Sequence, residues 1–361
     1  MIPVVLSFRR DGLTRSLRPW LERSLVLLLL AVCCLTRAGA QSTEPFELRD
    51  GDRVVFVGDT LVERERNQGW LEFSLSTRFP DRRVTFRNLG WSADTPQGQS
   101  RVGFDHSKPP EFWFGELTNS IAQLRPTVVF LGYGMAASLQ EITDRSNDPT
   151  LNPDPVRYGT EPMSAGRFKK ELGQLMDAIE EVSGTIPLAA GAAKPLPVRF
   201  VLLSPLHHED LRKQRPGLPD PAEHNKLLEQ YSKAVEDLAK ERGALFINPT
   251  VNVADVAAAG LTVPVHLTDN GIHPTEEGYK LLSSGIATSL GWGARSQPIN
   301  EQLRREIIRK NDLFFYRWRP ANETYLFGFR KHEQGQNAIE IPKFDPLIAQ
   351  VEERIVRLTE K

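Results

Sequence analysis

The stretch Val54-Val55-Phe56-Val57-Gly58-Asp59-Thr60 decides the fold. Four apolar β-formers in a row, after the polar Gly51-Asp52-Arg53, predict a strand buried on both faces. Gly58 is expected to end it at a sharp strand-to-helix turn, where glycine tolerates unusual dihedrals. Thr60 then opens Leu61-Val62-Glu63-Arg64, with Glu63 at the spacing of a capping box. A hydroxyl at the carboxyl end of the first strand of an open α/β sheet lies where such folds bind ligands. Read alone, the same residues describe a helix cap and nothing more.

Working outward, apolar runs and helical spacings alternate. Residues 64–78 read as a helix and 84–89 as a second strand ended by Gly90. A polar and aromatic loop follows from Trp91, through His106 and Trp113, to a helical spacing over 117–124. Val128-Val129-Phe130-Leu131 is a third buried strand, stopped by Gly132-Tyr133-Gly134. Residues 144–165 read as an irregular excursion. After it come a helix over 165–182, a strand over 198–203, a helix over 223–242, a strand over 243–248 and a helix over 275–290. Strands that alternate with helices, each strand ending near Gly or Ser-Pro, predict an α/β fold with a parallel sheet of about five strands covered on both faces. From about Pro298 the character changes: a charged helix over 301–310, an aromatic and basic stretch over 313–320, and an amphipathic helix over 345–358. This mostly helical C-terminal extension (298–361) is expected to pack back on the sheet domain (41–297) rather than serve as a sugar-stacking platform. Asn322-Glu323-Thr324 is a formal glycosylation sequon.

The first forty residues carry six arginines, an apolar run from Leu25 to Leu35 and Ala38-Gly39-Ala40 before Gln41. That is the layout of a signal peptide with cleavage after Ala40, and the run falls short of the ~20 residues of a comfortable membrane span. The expectation is a secreted or periplasmic protein without stable membrane insertion after processing, the alternative being an uncleaved N-terminal anchor. Cys33 and Cys34, the only cysteines, fall inside this leader, so the processed chain has no disulfide and no cysteine-ligated metal. The net charge of −1 includes +4 from the leader, which leaves a mildly acidic chain and argues against nucleic acid as a partner. No cofactor and no metal are called for.

The late motif Thr268-Asp269-Asn270-Gly271-Ile272-His273-Pro274 has the build of an oriented general base: a histidine on a turn, with an acid and an amide just before it. His207, His208 and His224 lack such a setting and read as surface residues. With these residues the chain resembles the SGNH/GDSL hydrolases, serine esterases and lipases on a flavodoxin-like three-layer α/β/α sandwich, over roughly residues 50–295. Gly58-Asp59-Thr60-Leu61 resembles the block that carries the nucleophile, and Asn88 to Thr95 the second block. Gly132-Tyr133-Gly134-Met135 stands at the third block and Asn270 to Pro274 at the histidine block. The resemblance implies Thr60 and His273 as catalytic pair, Asp269 or Asn270 as the orienting group, and the N–H groups of Thr60 and Gly90 as oxyanion donors. Gly58, Asp59, Gly132 and Gly134 would frame the site.

Three departures accompany it. Threonine replaces the family's nucleophilic serine, and its extra methyl crowds attack. The third-block asparagine is missing, its place being Gly134 by direct count or Ala136 if the loop is longer; one such donor is worth about 10²–10³ in rate. Asparagine stands three residues before His273, where the family has aspartate. Ser92 is a minor candidate for a substitute nucleophile. Two readings therefore stand: a hydrolase of acyl esters, including acetylated carbohydrate, acting on a small-molecule or polysaccharide substrate; or a degenerate module that binds a glycan or a protein.

Overall fold

The structure, a computed structural model, describes residues 45–102, 109–139, 162–184, 197–249, 266–292 and 299–360. The segment expected to be a signal peptide, both cysteines, His106, most of the expected 144–165 excursion and the expected boundary at 297/298 lie outside them.

Five strands form one wholly parallel sheet: β1 (Arg53–Gly58), β2 (Thr85–Asn88), β3 (Val128–Gly132), β4 (Arg199–Leu203) and β5 (Leu245–Ile247), in the order β2-β1-β3-β4-β5. Successive side chains of β1 go to opposite faces, as strand geometry requires. Val55 and Val57 pack with Leu117, Phe168, Leu172 and Tyr231, from α3 (Pro110–Leu124), α5 (Ala165–Gly184) and α6 (Ala222–Arg242). Val54 and Phe56 pack with Val62, Leu71, Leu75 and Ile286, from α1 (Thr60–Gln68), α2 (Trp70–Arg78) and α7 (Glu276–Ser289). The continuous apolar runs in the sequence arise because both faces of the sheet are covered. The short α4 (Met135–Leu139) follows β3.

The helix expected over 64–78 is two helices. Gly69 adopts φ +65° between α1 and α2, and the buried Glu65 carboxylate accepts the Leu71 N–H at 2.5 Å, capping the second helix with an acid from the first. Burial pushes the Glu65 carboxyl up to about 8.

The C-terminal extension is helical. α8 (Glu301–Trp318), capped by Asn300, runs on through the aromatic stretch, and α9 (Phe344–Thr359) packs against it. Leu303, Ile307, Val351 and Ile355 bury Trp70 and Phe73 of α2. The extension also closes the free edge of β2, a position that otherwise invites pairing with another chain. Lys310, fully buried, donates to the Phe86 carbonyl at 3.0 Å and to Glu72 at 2.7 Å, and Arg87 pairs with Glu352 at 2.5 Å. These residues pack on the sheet domain, while Tyr316, Phe327 and Phe329 are exposed, as is Asn322 of the sequon.

Candidate active site

In a sheet of this order the strand sequence reverses between β1 and β3, and the crevice beyond their carboxyl ends is where such folds take ligands. Gly58 and Gly132 end the two strands side by side. A Cβ on Gly58 would lie 2.2 Å from the Gly132 carbonyl oxygen, so close backbone approach, rather than an unusual dihedral, requires glycine there. Asp59 follows and is the true cap of α1; Thr60 is the first helical residue. The capping-box expectation fails because Glu63 turns away, to Ser92 and Arg319. One Asp59 oxygen accepts from the Leu61 N–H and the other from the Ala136 N–H, both at 3.2 Å, so a single carboxylate ties the starts of α1 and α4 together. Burial pushes this carboxyl up to about 6 against those amide bonds.

Thr60 Oγ1 accepts a hydrogen bond from the Ala93 N–H at 3.0 Å. Ala93 has φ +60°, a conformation that costs an L-residue roughly 1–2 kcal/mol. The Gly90 N–H, expected as an oxyanion donor, instead donates to Asn88 Oδ1 at 2.8 Å. Gly90 serves close packing: its Cβ would fall 2.3 Å from the Glu63 nitrogen. The second-block amide that faces the hydroxyl is therefore Ala93's. The sequence hid it because alanine carries no signal for a left-handed turn. Ser92 is bound to Glu63 through both its N–H and its hydroxyl, so it acts as a loop anchor.

His273 lines the same small cleft as Thr60, together with Tyr133, Met135, Pro205 and Leu206. The structure shows no hydrogen bond between the imidazole and the Thr60 hydroxyl. Asn270 Oδ1 accepts from the backbone N–H of Ile272 (3.2 Å) and of His273 (3.0 Å). These bonds fix the amide's orientation and leave Nδ2 facing His273 Nδ1 at 3.0 Å. An amide nitrogen only donates, so Nδ1 must accept, and the ring proton of neutral His273 sits on Nε2. Burial and the nearby Arg64 charge hold the imidazole below its ordinary pKa, which favours that neutral form. Asp269 does not take over the orienting role: its carboxylate lies 3.6 Å from Arg64, half exposed.

A family model described as the GDSL-like Lipase/Acylhydrolase family matches residues 51–281. The chain belongs to that family. Solved structures similar to it include an α/β hydrolase enzyme from the metagenome of Lake Arreo, Spain, at 16% identity, covering 68% of this chain and 97% of that one, with TM-score 0.43. Another is an acetylxylan esterase from Geobacillus stearothermophilus, at 15% identity, covering 70% of this chain and all of that one, with TM-score 0.45. No curated protein matches.

Two of the histidines expected on the surface of this GDSL-like chain are withdrawn from it, His208 buried and His224 half-buried. His208 is buried because Asn225 of α6 grips its backbone from both sides, at 2.7 and 2.9 Å. Its Nδ1 meets His224 Nδ1 at 2.9 Å, and His224 Nε2 meets Ser138 Oγ at 2.7 Å. Burial lowers both histidines, His224 to about 4. His207 is exposed as expected, and His266 faces Glu209 at 3.4 Å. Among the described residues no group of three His, Cys, Asp or Glu could hold a metal, and no helix is long and apolar enough to cross a membrane.

Proposed function

We propose that the chain is an exported hydrolase of short acyl esters, acetylated carbohydrate included, with Thr60 as the attacking hydroxyl. The observation that carries this reading is the cleft at the β1–β3 reversal, lined by both Thr60 and His273, with the Ala93 N–H on Thr60 Oγ1. Attack of Thr60 Oγ1 on the acyl carbon passes the hydroxyl proton to His273 Nε2 and places negative charge on the former carbonyl oxygen. As Oγ1 bonds to carbon, the Ala93 N–H passes from Oγ1 to that neighbouring oxygen, and the Thr60 N–H donates to it as well. The latter amide begins α1 and has no carbonyl partner within the helix. The positive end of the α1 dipole favours the same charge. Collapse expels the alkoxide, which takes the proton from His273, and water then cleaves the acyl-threonine by the same steps.

The proton transfer needs His273 in the tautomer with Nε2 unprotonated, the one the Asn270 bond disfavours, so the enzyme is slow. That same bond supports a second reading, in which the cleft binds an acyl glycan or a protein without turning it over. In either case residues 1–40 are the removed signal peptide, 41–297 the hydrolase domain and 298–361 its extension, with no nucleic acid as partner. The test is hydrolysis of p-nitrophenyl acetate by the purified chain from residue 41. Activity that falls to background in both Thr60→Ala and His273→Ala supports the enzyme. Activity surviving Thr60→Ala but lost in His273→Ala assigns attack to a His-activated water, and no activity in the natural chain supports the binding module.

A further inference from the structure

The loop that carries the Ala93 N–H is held by the C-terminal extension, through a contact that no local feature of either segment requires. Each neighbour of Ala93 in the turn has its own restraint. Trp91 lies under the Arg319 guanidinium, 3.3 Å from the ring centroid, and meets Trp318 edge-on at 6.0 Å. Ser92 is bound through its N–H (2.6 Å) and hydroxyl to Glu63 Oε2. Asp94 is buried in a 2.8 Å pair with Arg101. The Glu63 carboxylate links two of these restraints, because its other oxygen accepts from Arg319 Nη1 at 3.0 Å. Glu63 stands one helical turn after Thr60, so hydroxyl, loop and extension share one frame. Arg319 is itself fixed: it ends α8, whose Lys310 is buried against Glu72 and whose Asp312 pairs with Arg66 at 2.8 Å.

We propose that Arg319 is a positioning residue of the active site: by clamping Trp91 and Glu63 it holds the strained Ser92–Ala93 turn so that the Ala93 N–H stays aimed at Thr60 Oγ1. A planar guanidinium is needed, since it stacks its face on the indole while an edge N–H donates to one Glu63 oxygen, whereas a lysine ammonium has no face to stack. The clamp makes the hydrolase domain dependent on the extension for its chemistry as well as for its packing. This inference rests on the esterase reading for its kinetic consequence, but not for its structural one.

The experiment compares the natural full-length processed chain with Arg319→Ala, Arg319→Lys and Glu63→Ala. Hydrogen–deuterium exchange is read peptide by peptide, and p-nitrophenyl acetate kinetics are measured alongside. Arg319→Ala is expected to speed exchange over residues 90–95 by about tenfold or more and leave strand 199–203 and helix 344–359 at their natural rates. It is also expected to lower kcat about tenfold at constant KM, because the amide acts on the transition state. Arg319→Lys should recover little of either effect, and Arg319→Ala combined with Glu63→Ala should be no worse than the poorer single variant. Unchanged exchange over 90–95 in Arg319→Ala overturns the proposal, as does a rise spread evenly over α8 and α9, which marks a purely structural residue. If no variant and not the natural chain cleaves the ester while the loop alone loosens, the esterase reading fails and the clamp stands.

Discussion

Replacing Asn270 with aspartate tests the chemistry of the site with a change of one atom type. In the structure Asn270 Oδ1 holds the Ile272 and His273 amides at 3.2 and 3.0 Å, while Nδ2 sits 3.0 Å from His273 Nδ1. Aspartate keeps the first oxygen in place and puts a second one where Nδ2 stands. An oxygen there can only accept, so the ring proton moves to Nδ1, and Nε2 presents a lone pair to the cleft. In a serine protease triad the reverse change costs about 10⁴ in kcat through the wrong tautomer, equivalent to about 5 kcal/mol. The threonine nucleophile and the absent third-block donor remain, so Asn270→Asp is expected to raise p-nitrophenyl acetate turnover by about 10²–10⁴. The new carboxylate also raises the His273 pKa, which burial and Arg64 now depress. A general base must be unprotonated to act, so the acid limb of kcat/KM should move to higher pH. Nitrogen-15 NMR of the imidazole supplies the independent check: natural protein with its proton on Nε2, the variant with it on Nδ1. A natural protein found with Nδ1 protonated refutes the tautomer argument at its first step. A variant with the shifted proton and less than threefold gain shows that proton transfer is not what limits this site.

Thr60→Ser, which removes one methyl and keeps the hydroxyl, should raise the same activity, and more so on the Asn270→Asp background; a fall on both would show that the site is shaped around the methyl. Glu65→Gln should flatten the pH dependence of stability. The folded carboxyl, pushed up to about 8, gives up its proton later than the unfolded one. Stability is therefore full below the ordinary carboxyl range and declines as pH rises through 8, by up to about 5 kcal/mol. Urea unfolding from pH 4 to 9 reads the slope, and a variant as pH-sensitive as the natural protein would show that Glu65 is not its source. Gly134→Asn should lower Tm clearly more than Ala136→Asn. Gly134 has φ +134°, and its Cβ would lie 3.0 Å from the Pro205 ring, a combination worth roughly 1–3 kcal/mol, whereas Ala136 already carries a Cβ in a helix. Equal Tm values for the two variants would mean that the loop relaxes.

The parts of this molecule written locally were legible in its sequence. Runs such as Val54–Val57 and Val128–Leu131 must be buried on both faces, and that alone implies a parallel sheet with helices on either side. The position of Thr60 at a strand end followed from the same run. What the pattern could not carry was the choice of partner. Asp59 and Thr60 can both cap a helix, and the outcome depends on Ala136, more than seventy residues away, which also needs the Asp59 carboxylate. His208 reads as a surface residue until Asn225 is known to hold its backbone. Asn270 next to a histidine suggests an orienting group. Only the two backbone amides on Oδ1 show which end of the carboxamide faces the ring, and so which way the proton lies.

The distribution of unfavourable features bears on whether the site is used at all. A carboxylate buried at Asp59, a charge pair buried at Asp94 and Arg101, and a left-handed alanine each oppose folding. All three lie on the loops after β1 and β2, around one threonine hydroxyl. Buried charge also occurs away from the cleft, at Glu65 and at Lys310–Glu72, and Arg125 is a second left-handed residue, so what sets the cleft apart is that all three features lie on its two loops. On the proposed mechanism, with Thr60 as the attacking hydroxyl, that amide is in place before charge develops beside it. On the proposed mechanism the oxyanion donors are held in place by the fold, while His273 is held in the opposite tautomer by a single side-chain nitrogen. That asymmetry is why Asn270, and not Thr60, is the residue on which the distinction between a slow esterase and a binding module turns.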